Sequence, residues 1–306
     1  MKPFYALLVL LLLAACKPAT VSRHNSRSMY YWSTTFRIDS TEARFLRSHG
    51  VGRLYVRYFD VVTAASGDAV PNATIAFRSA VPGGVEVVPV VYIMNDCLLR
   101  DLSQLPERIV KRVLQMNETN DVAGVRELQI DCDWTMRTQK RFFDFLQRLR
   151  QLARQHGLAL SATIRLHQLT QPVPPVDRGV LMVYNTGNVA DITDRHPILD
   201  IAAVRPYLRS LPAYRLRLSA AYPLYTWKVL YRGGVFVGIV HTDGEYPVMA
   251  GDTVIERRPE MEQIIAAREA IGHLRPDVHD EVLLFDLSRR NIERFKPADY
   301  ETIFSR

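Results

Sequence analysis

The chain is poor in the residues that mark several common chemistries. Three cysteines among 306 residues, Cys16, Cys97 and Cys132, are too few for a disulfide framework, although Cys97 and Cys132 leave room for one bridge. The eight histidines form no HExxH or His-x-His pair and no Gly-x-Ser-x-Gly elbow occurs, so metallohydrolase and serine-hydrolase chemistry have no local support. No glycine-rich phosphate loop follows a strand-like run, which argues against a nucleotide site. The pair in "DCD" (131–133) has no further acidic residues nearby in sequence to complete a divalent-ion shell, so neither a metal nor another cofactor is expected. Basic residues do exceed acidic ones, 39 to 32, giving +7. The arginines are scattered without an aromatic-basic cluster, and no nucleic-acid partner is expected.

Long apolar runs are also missing. The longest opens the chain: "MKPFYALLVLLLLAAC" carries Lys2, an apolar stretch from Phe4 to Leu13 and small residues before Cys16. It is too short for a bilayer core of ~30 Å and reads as an export signal over 1–15. "Leu13-Ala14-Ala15-Cys16" is similar to a bacterial lipobox, which implies lipidation of Cys16. Residues 16–28 then form a polar, basic tether without apolar period, and a single domain is expected from 29 to 306. This reading places the protein in the cell envelope, lipid-anchored to a bacterial membrane, as a monomer.

The domain alternates strand-like and helix-like segments. Eight strands are expected at 30–36, 53–61, 85–93, 125–134, 158–166, 179–185, 215–225 and 281–287, several nearly continuous in β-branched and aromatic residues, as buried parallel strands are. Helical stripes lie between most of them. Ser40 is the expected N-cap of a helix ending at Gly50, Phe142, Phe145, Leu146, Leu149, Leu152 and Ala153 share one face before Gly157, and 259–274 repeats the pattern. Eight such alternations predict an α/β fold, a (β/α)₈ TIM-type barrel. Two β-like runs around Gly233-Gly234 predict a β-hairpin insertion after strand seven.

Active sites of such barrels lie at the carboxyl ends of the strands. There, "ELQIDCDWT" (127–135) puts Asp131, Asp133 and Thr135 on one face and Cys132 and Trp134 on the other. The carboxylates face inward if Trp134 packs outward. On strand five Ser161, Thr163, Arg165 and His167 share a face, so Arg165 is placed to neutralise either aspartate. The residues alone leave two readings open, a reactive pair of acids or a salt-bridged scaffold.

Three segments resemble chitinase-type (family 18) glycoside hydrolases. "LQIDCDWT" is similar to the strand-four signature of alternating aspartates leading to a glutamate, "LMVYN" (181–185) to the strand-six Met-x-Tyr-Asp/Asn, and "RLSAAYPLYTW" (217–227) to the tyrosine-bearing strand-seven segment. The resemblance implies that Asp133 orients an N-acetyl group, Asp131 supports it and Tyr184 donates a hydroxyl, with Arg165, Met182, Asn185, Tyr222, Tyr225, Trp227, Trp32 and Asp286 around a glycan. Two departures stand out. Thr135 occupies the place of the acid glutamate and is instead a plausible helix N-cap, and Phe285-Asp286 stands where the family carries a tryptophan. The expectation is a barrel that recognises a glycan in its strand-end cleft and hydrolyses it through Asp131 and Asp133 if one of them, or a loop carboxyl such as Asp60, Asp96 or Asp286, serves as acid; the alternative is an inactive glycan- or protein-binding barrel.

Overall fold

The computed structural model describes residues 25–305 apart from 243. The expected signal, Cys16 and most of the tether lie outside the described residues.

Eight parallel strands close on themselves: β1 (Ser26–Tyr31), β2 (Arg53–Thr63), β3 (Glu86–Ile93), β4 (Glu127–Asp131), β5 (Ala159–Arg165), β6 (Arg178–Met182), β7 (Leu218–Pro223) and β8 (Glu281–Phe285). β1 pairs with β2 on one side and β8 on the other, which completes the cylinder. This is the expected TIM-type barrel. The strands are apolar on both faces because each face is covered: one set of side chains packs against the helices, and the other, with Tyr30, Val88, Val180, Met182 and Leu283, fills the interior.

β1 starts at Ser26, three residues before the expected boundary at 29. The polar residues that read as tether are barrel floor. Ser28 is fully buried and donates a 2.6 Å hydrogen bond to Glu281, whose carboxylate also accepts from Tyr55 at 3.2 Å and pairs with Arg178 and Arg53. A charged network of this kind closes the amino end of the cylinder, where a TIM barrel invests in stability and leaves chemistry to the other end.

The outer layer departs from strict alternation. Helices α1 (Ser40–Ser48), α2 (Leu105–Thr119), α3 (Gln139–Gln155), α4 (Ile201–Leu208), α5 (Met261–Leu274) and α6 (Pro297–Phe304) follow β1, β3, β4, β6, β7 and β8. No helix follows β2, where 64–84, with two prolines and no apolar period, forms an antiparallel return (Ala69–Asn72) and a two-residue strand instead. After β5 there is one short 3₁₀ turn, Leu166–Thr170. α1 is capped by Asp39, not Ser40: its carboxylate accepts from the amides of Thr41 and Glu42, and Glu42 reaches back to the Asp39 amide at 3.0 Å. The insertion after β7 is larger than a hairpin. Trp227–Arg232 and Val235–Val240 turn at Gly233-Gly234, both at positive φ, and a third strand, Asp252–Arg257, pairs with the free edge of the first. Cys97 and Cys132 are separate buried thiols, so the one possible bridge is not made.

Candidate functional site

β4 aims the site. Trp134 packs outward, 2% exposed, stacked on Phe142 and edge-on to Phe143 of α3 at 6.2 and 5.4 Å between ring centroids. Cys132 lies on the same outer face. With these two fixed against the helix, the period of two turns Asp131 into the cylinder, and Asp133 emerges beyond the strand end with its side chain half exposed.

Arg165, at the end of β5, spans both carboxylates. Its Nη2 donates to Asp131 Oδ1 at 3.1 Å and its Nε to Asp133 Oδ1. Thr163, two residues earlier on the same face, donates to Asp131 Oδ1 at 2.6 Å. Burial pushes the Asp131 carboxyl above the usual carboxylate range, against the pull of Arg165 and Thr163. Burial likewise works against the Arg165 charge, but its neighbours, Asp131 foremost and Asp133 among them, outweigh it and hold the proton on. Both aspartates are therefore in the cleft, and both are engaged by one guanidinium.

Around this clamp lie two adjoining hollows of ≈ 300 and ≈ 460 Å³ that share Arg165, Tyr184 and Asn185 as their divide. The first is walled by Trp32, Tyr92, Tyr225, Trp227 and Phe285, with Arg57 and Asp131 as its remaining polar groups. Phe285 forms its floor, 5.2 to 5.8 Å from the rings of Tyr30, Trp32, Tyr184 and Tyr225. The second hollow holds Asp133, Thr135 and His167, with Trp134, Leu166, Met182, Thr186 and Tyr207.

Asn185 takes φ 57°, a left-handed conformation that asparagine tolerates better than most residues, and its carboxamide oxygen accepts from Tyr225. Tyr184 is buried by its neighbours and donates to Met182 Sδ at 3.1 Å; burial pushes its phenol up, Arg165 pulling the other way. Tyr92 is pushed up to about 12, first by burial and then by Asp133 and Asp131.

Most residues singled out in the sequence line this cleft: Asp131, Asp133, Tyr184, Arg165, Met182, Asn185, Tyr225, Trp227 and Trp32. Two do not. Tyr222 points outward from β7, fully buried, with its hydroxyl 2.8 Å from His279 Nε2; burial lowers that imidazole to about 4. The strand phase explains this, since Ala221 faces the interior, so Tyr222 must face the helices. Asp286 turns away from both hollows to bond Asn291, and burial raises it to about 6 without placing it in the cleft. Among the other carboxyls weighed as acids, Asp60 is committed to Arg57 and Asp96 is exposed on the short 3₁₀ helix Asn95–Leu99 after β3. Tyr58 packs outward on Asn117, Asn95 accepts from Thr138, and Gln168 bonds the backbone of Arg165 and Trp134. Thr135 is not the N-cap of α3, a position held by Thr138; it lines the second hollow.

Sequence reasoning missed three contributors. Thr186 and Tyr207 belong to the chain after β6, where no period announces a wall of the cleft. The third is the pairing of Arg57 with Asp60. A bulge between Arg57 and Phe59 sends both Tyr58 and Phe59 outward and shifts the phase, so residues three apart share the inner face.

No protein-family model matches the chain, and no curated protein sequence matches it. Solved structures do match. The spore cortex-lytic enzyme SleL of Bacillus megaterium QM B1551 superposes with a TM-score of 0.58 at 12% identity, over 91% of this chain and 73% of that one. A chitinase from Chromobacterium violaceum ATCC 12472 gives 0.60 at 10%, covering 91% and 98%. A Group IV chitinase of Ostrinia furnacalis in complex with allosamidin gives 0.56 at 10%, covering 91% and 97%. At these identities the likeness is one of fold, the closed, helix-flanked barrel.

Proposed function

We propose that this protein is an exported, lipid-anchored barrel of the cell envelope that binds a glycan in its strand-end cleft without hydrolysing it. One observation carries the reading: aromatic rings wall a cleft in which both lining carboxylates are tied to Arg165 and the position of the expected acid is Thr135. Aromatic faces and fixed hydrogen-bonding groups are what sugar rings require. A threonine hydroxyl cannot deliver a proton to a leaving glycosidic oxygen as a tuned carboxylic acid does. The solved neighbours named as chitinases, one of them bound to allosamidin, support a glycan as the ligand class.

A hydrolytic reading draws on Asp131, whose carboxyl is pushed up by burial. That group lies beneath the clamp, 4% exposed, with one oxygen already accepting from Arg165 and Thr163. It supports the site better than it protonates a substrate.

Two of the three tryptophans, Trp32 and Trp227, line the first hollow, and titration with N-acetylglucosamine oligomers and a panel of bacterial and host glycans can be followed by their fluorescence. A saturable change that Trp227→Ala weakens is expected. No response to any glycan would contradict the proposal.

A further inference from the structure

The helix missing between β2 and β3 leaves a slot on the barrel's flank, away from the strand-end cleft. The return strand Ala69–Asn72 pairs only with Asp60–Thr63 at the carboxyl end of β2, so Phe59 and Val61 of β2, with Leu105 and Ile109 of α2, line a groove of ≈ 380 Å³. Phe59 and Val61 are 2% and 1% exposed and form a recessed floor. Val70, half-buried, and Pro71, exposed, line the groove from the return strand.

The charge in this lining has one sign. Arg108, Lys111 and Arg112, spaced i, i+3 and i+4 along α2, set three exposed cations on one edge, and no carboxylate lines the groove. None of the three is paired with an acid among the described residues; Arg108 donates to the neutral carboxamide of Gln104 at 2.8 Å. The acids nearest in sequence are engaged elsewhere: Glu107 accepts from Arg148 of α3, and Asp68 from Ser66, each at 2.9 Å. Asp101, held below the usual carboxylate range first by its bonds from Ser103, also feels Arg141 and Arg108, which still leaves Lys111 and Arg112 unmatched. Glu118 stands about 10 Å of helix beyond Lys111.

We propose that this groove binds a free fatty acid, its alkyl chain on the apolar floor and its carboxylate against Lys111 and Arg112. At about 30 Å³ for a water-sized group, ≈ 380 Å³ holds roughly a dozen carbon atoms, one chain and not two. Apolar burial supplies the affinity, and a guanidinium beside an ammonium fixes which end of the chain lies at α2. A peptide would bring amide groups to a lining whose only uncharged polar side chain is Gln115. A flat bilayer surface would meet the cations but not the recessed floor.

Calorimetric titration of the full chain with decanoate below its micellar concentration tests this, beside decanol and decyltrimethylammonium as neutral and cationic chains of the same length. Decanoate is expected to bind at one site, on the order of tenfold tighter than either, the range of a charge-assisted hydrogen bond. At about fourfold per methylene it should bind on the order of a hundredfold tighter than hexanoate. Lys111→Gln combined with Arg112→Gln should remove the preference for the anion, and Val70→Trp, which fills the groove, should remove binding. Both α2 positions are exposed, so the double variant decides the matter even if Val70→Trp disturbs folding. Equal binding of the three head groups, or decanoate binding that ignores the double variant, would overturn the inference. So would co-sedimentation with phosphatidylglycerol vesicles in the absence of any decanoate binding, which would make α2 a bilayer contact instead.

Discussion

Replacing Arg165 with methionine isolates the clamp. The substitution keeps much of the stem's volume but leaves Asp131, 4% exposed, with Thr163 as its only remaining side-chain partner among the described residues, while Asp133, half exposed, returns to water. Stranding one member of a buried ion pair costs about 3–5 kcal/mol, whereas the exposed arm contributes at most about 1. For a domain of this size that corresponds to a fall in melting temperature of roughly 6–20 °C.

The sign of the pH dependence follows from Asp131. A carboxyl whose pKa in the folded protein lies above its unfolded value favours folding while protonated, and that contribution is lost as pH rises through the folded pKa. Burial already places Asp131 on that side, and losing Arg165 moves it further. The gap between wild type and Arg165→Met should therefore be smaller at pH 5 than at pH 7.5. Urea unfolding at the two pH values measures it. A loss below about 1 kcal/mol that is the same at both would show that Asp131 does not depend on Arg165, and the clamp would fall.

Other outcomes follow from the same geometry. Thr135→Glu sets a carboxylic acid on the wall that already carries Asp133, and should raise hydrolysis of a bound N-acetylglucosamine oligomer about 10²–10⁴-fold above the wild-type background, measured as released reducing ends; no gain despite unchanged binding would count against Thr135 as the missing function. Trp134→Ala removes the ring that locks the outer face of β4 and should cost about 3–5 kcal/mol in denaturant unfolding, with a shift under 1 showing that the β4–α3 contact is unimportant. Cys16→Ala should move the protein from the membrane fraction to the soluble one, and unchanged retention would refute lipidation.

The barrel was legible because its strands carry their pattern openly. Trp134 outward and Asp131 inward follow from a period of two, as does the facing of Thr163 and Arg165 toward the aspartates. Extending that period along β7 from Ala221 selects Tyr225 over Tyr222, a signal present but unused. Other features leave no trace in a linear pattern. The bulge at Tyr58 inserts one residue and reverses every later assignment on β2, which hid the Arg57–Asp60 fork. Ser26–Ser28 resemble tether because a TIM-barrel floor is itself polar, and its partner Glu281 is 253 residues away from Ser28. The missing helix after β2 follows from Pro71 and Pro82 in a stretch without an apolar stripe, where the rhythm of the fold outweighed the local composition.

The most direct test offers the wild-type protein the tightest-binding oligosaccharide from the glycan panel at saturation and analyses the mixture by mass spectrometry over days. The cleft as described predicts an intact ligand at full occupancy. Cleavage products that disappear in Asp133→Asn would contradict it and restore the site to the hydrolases.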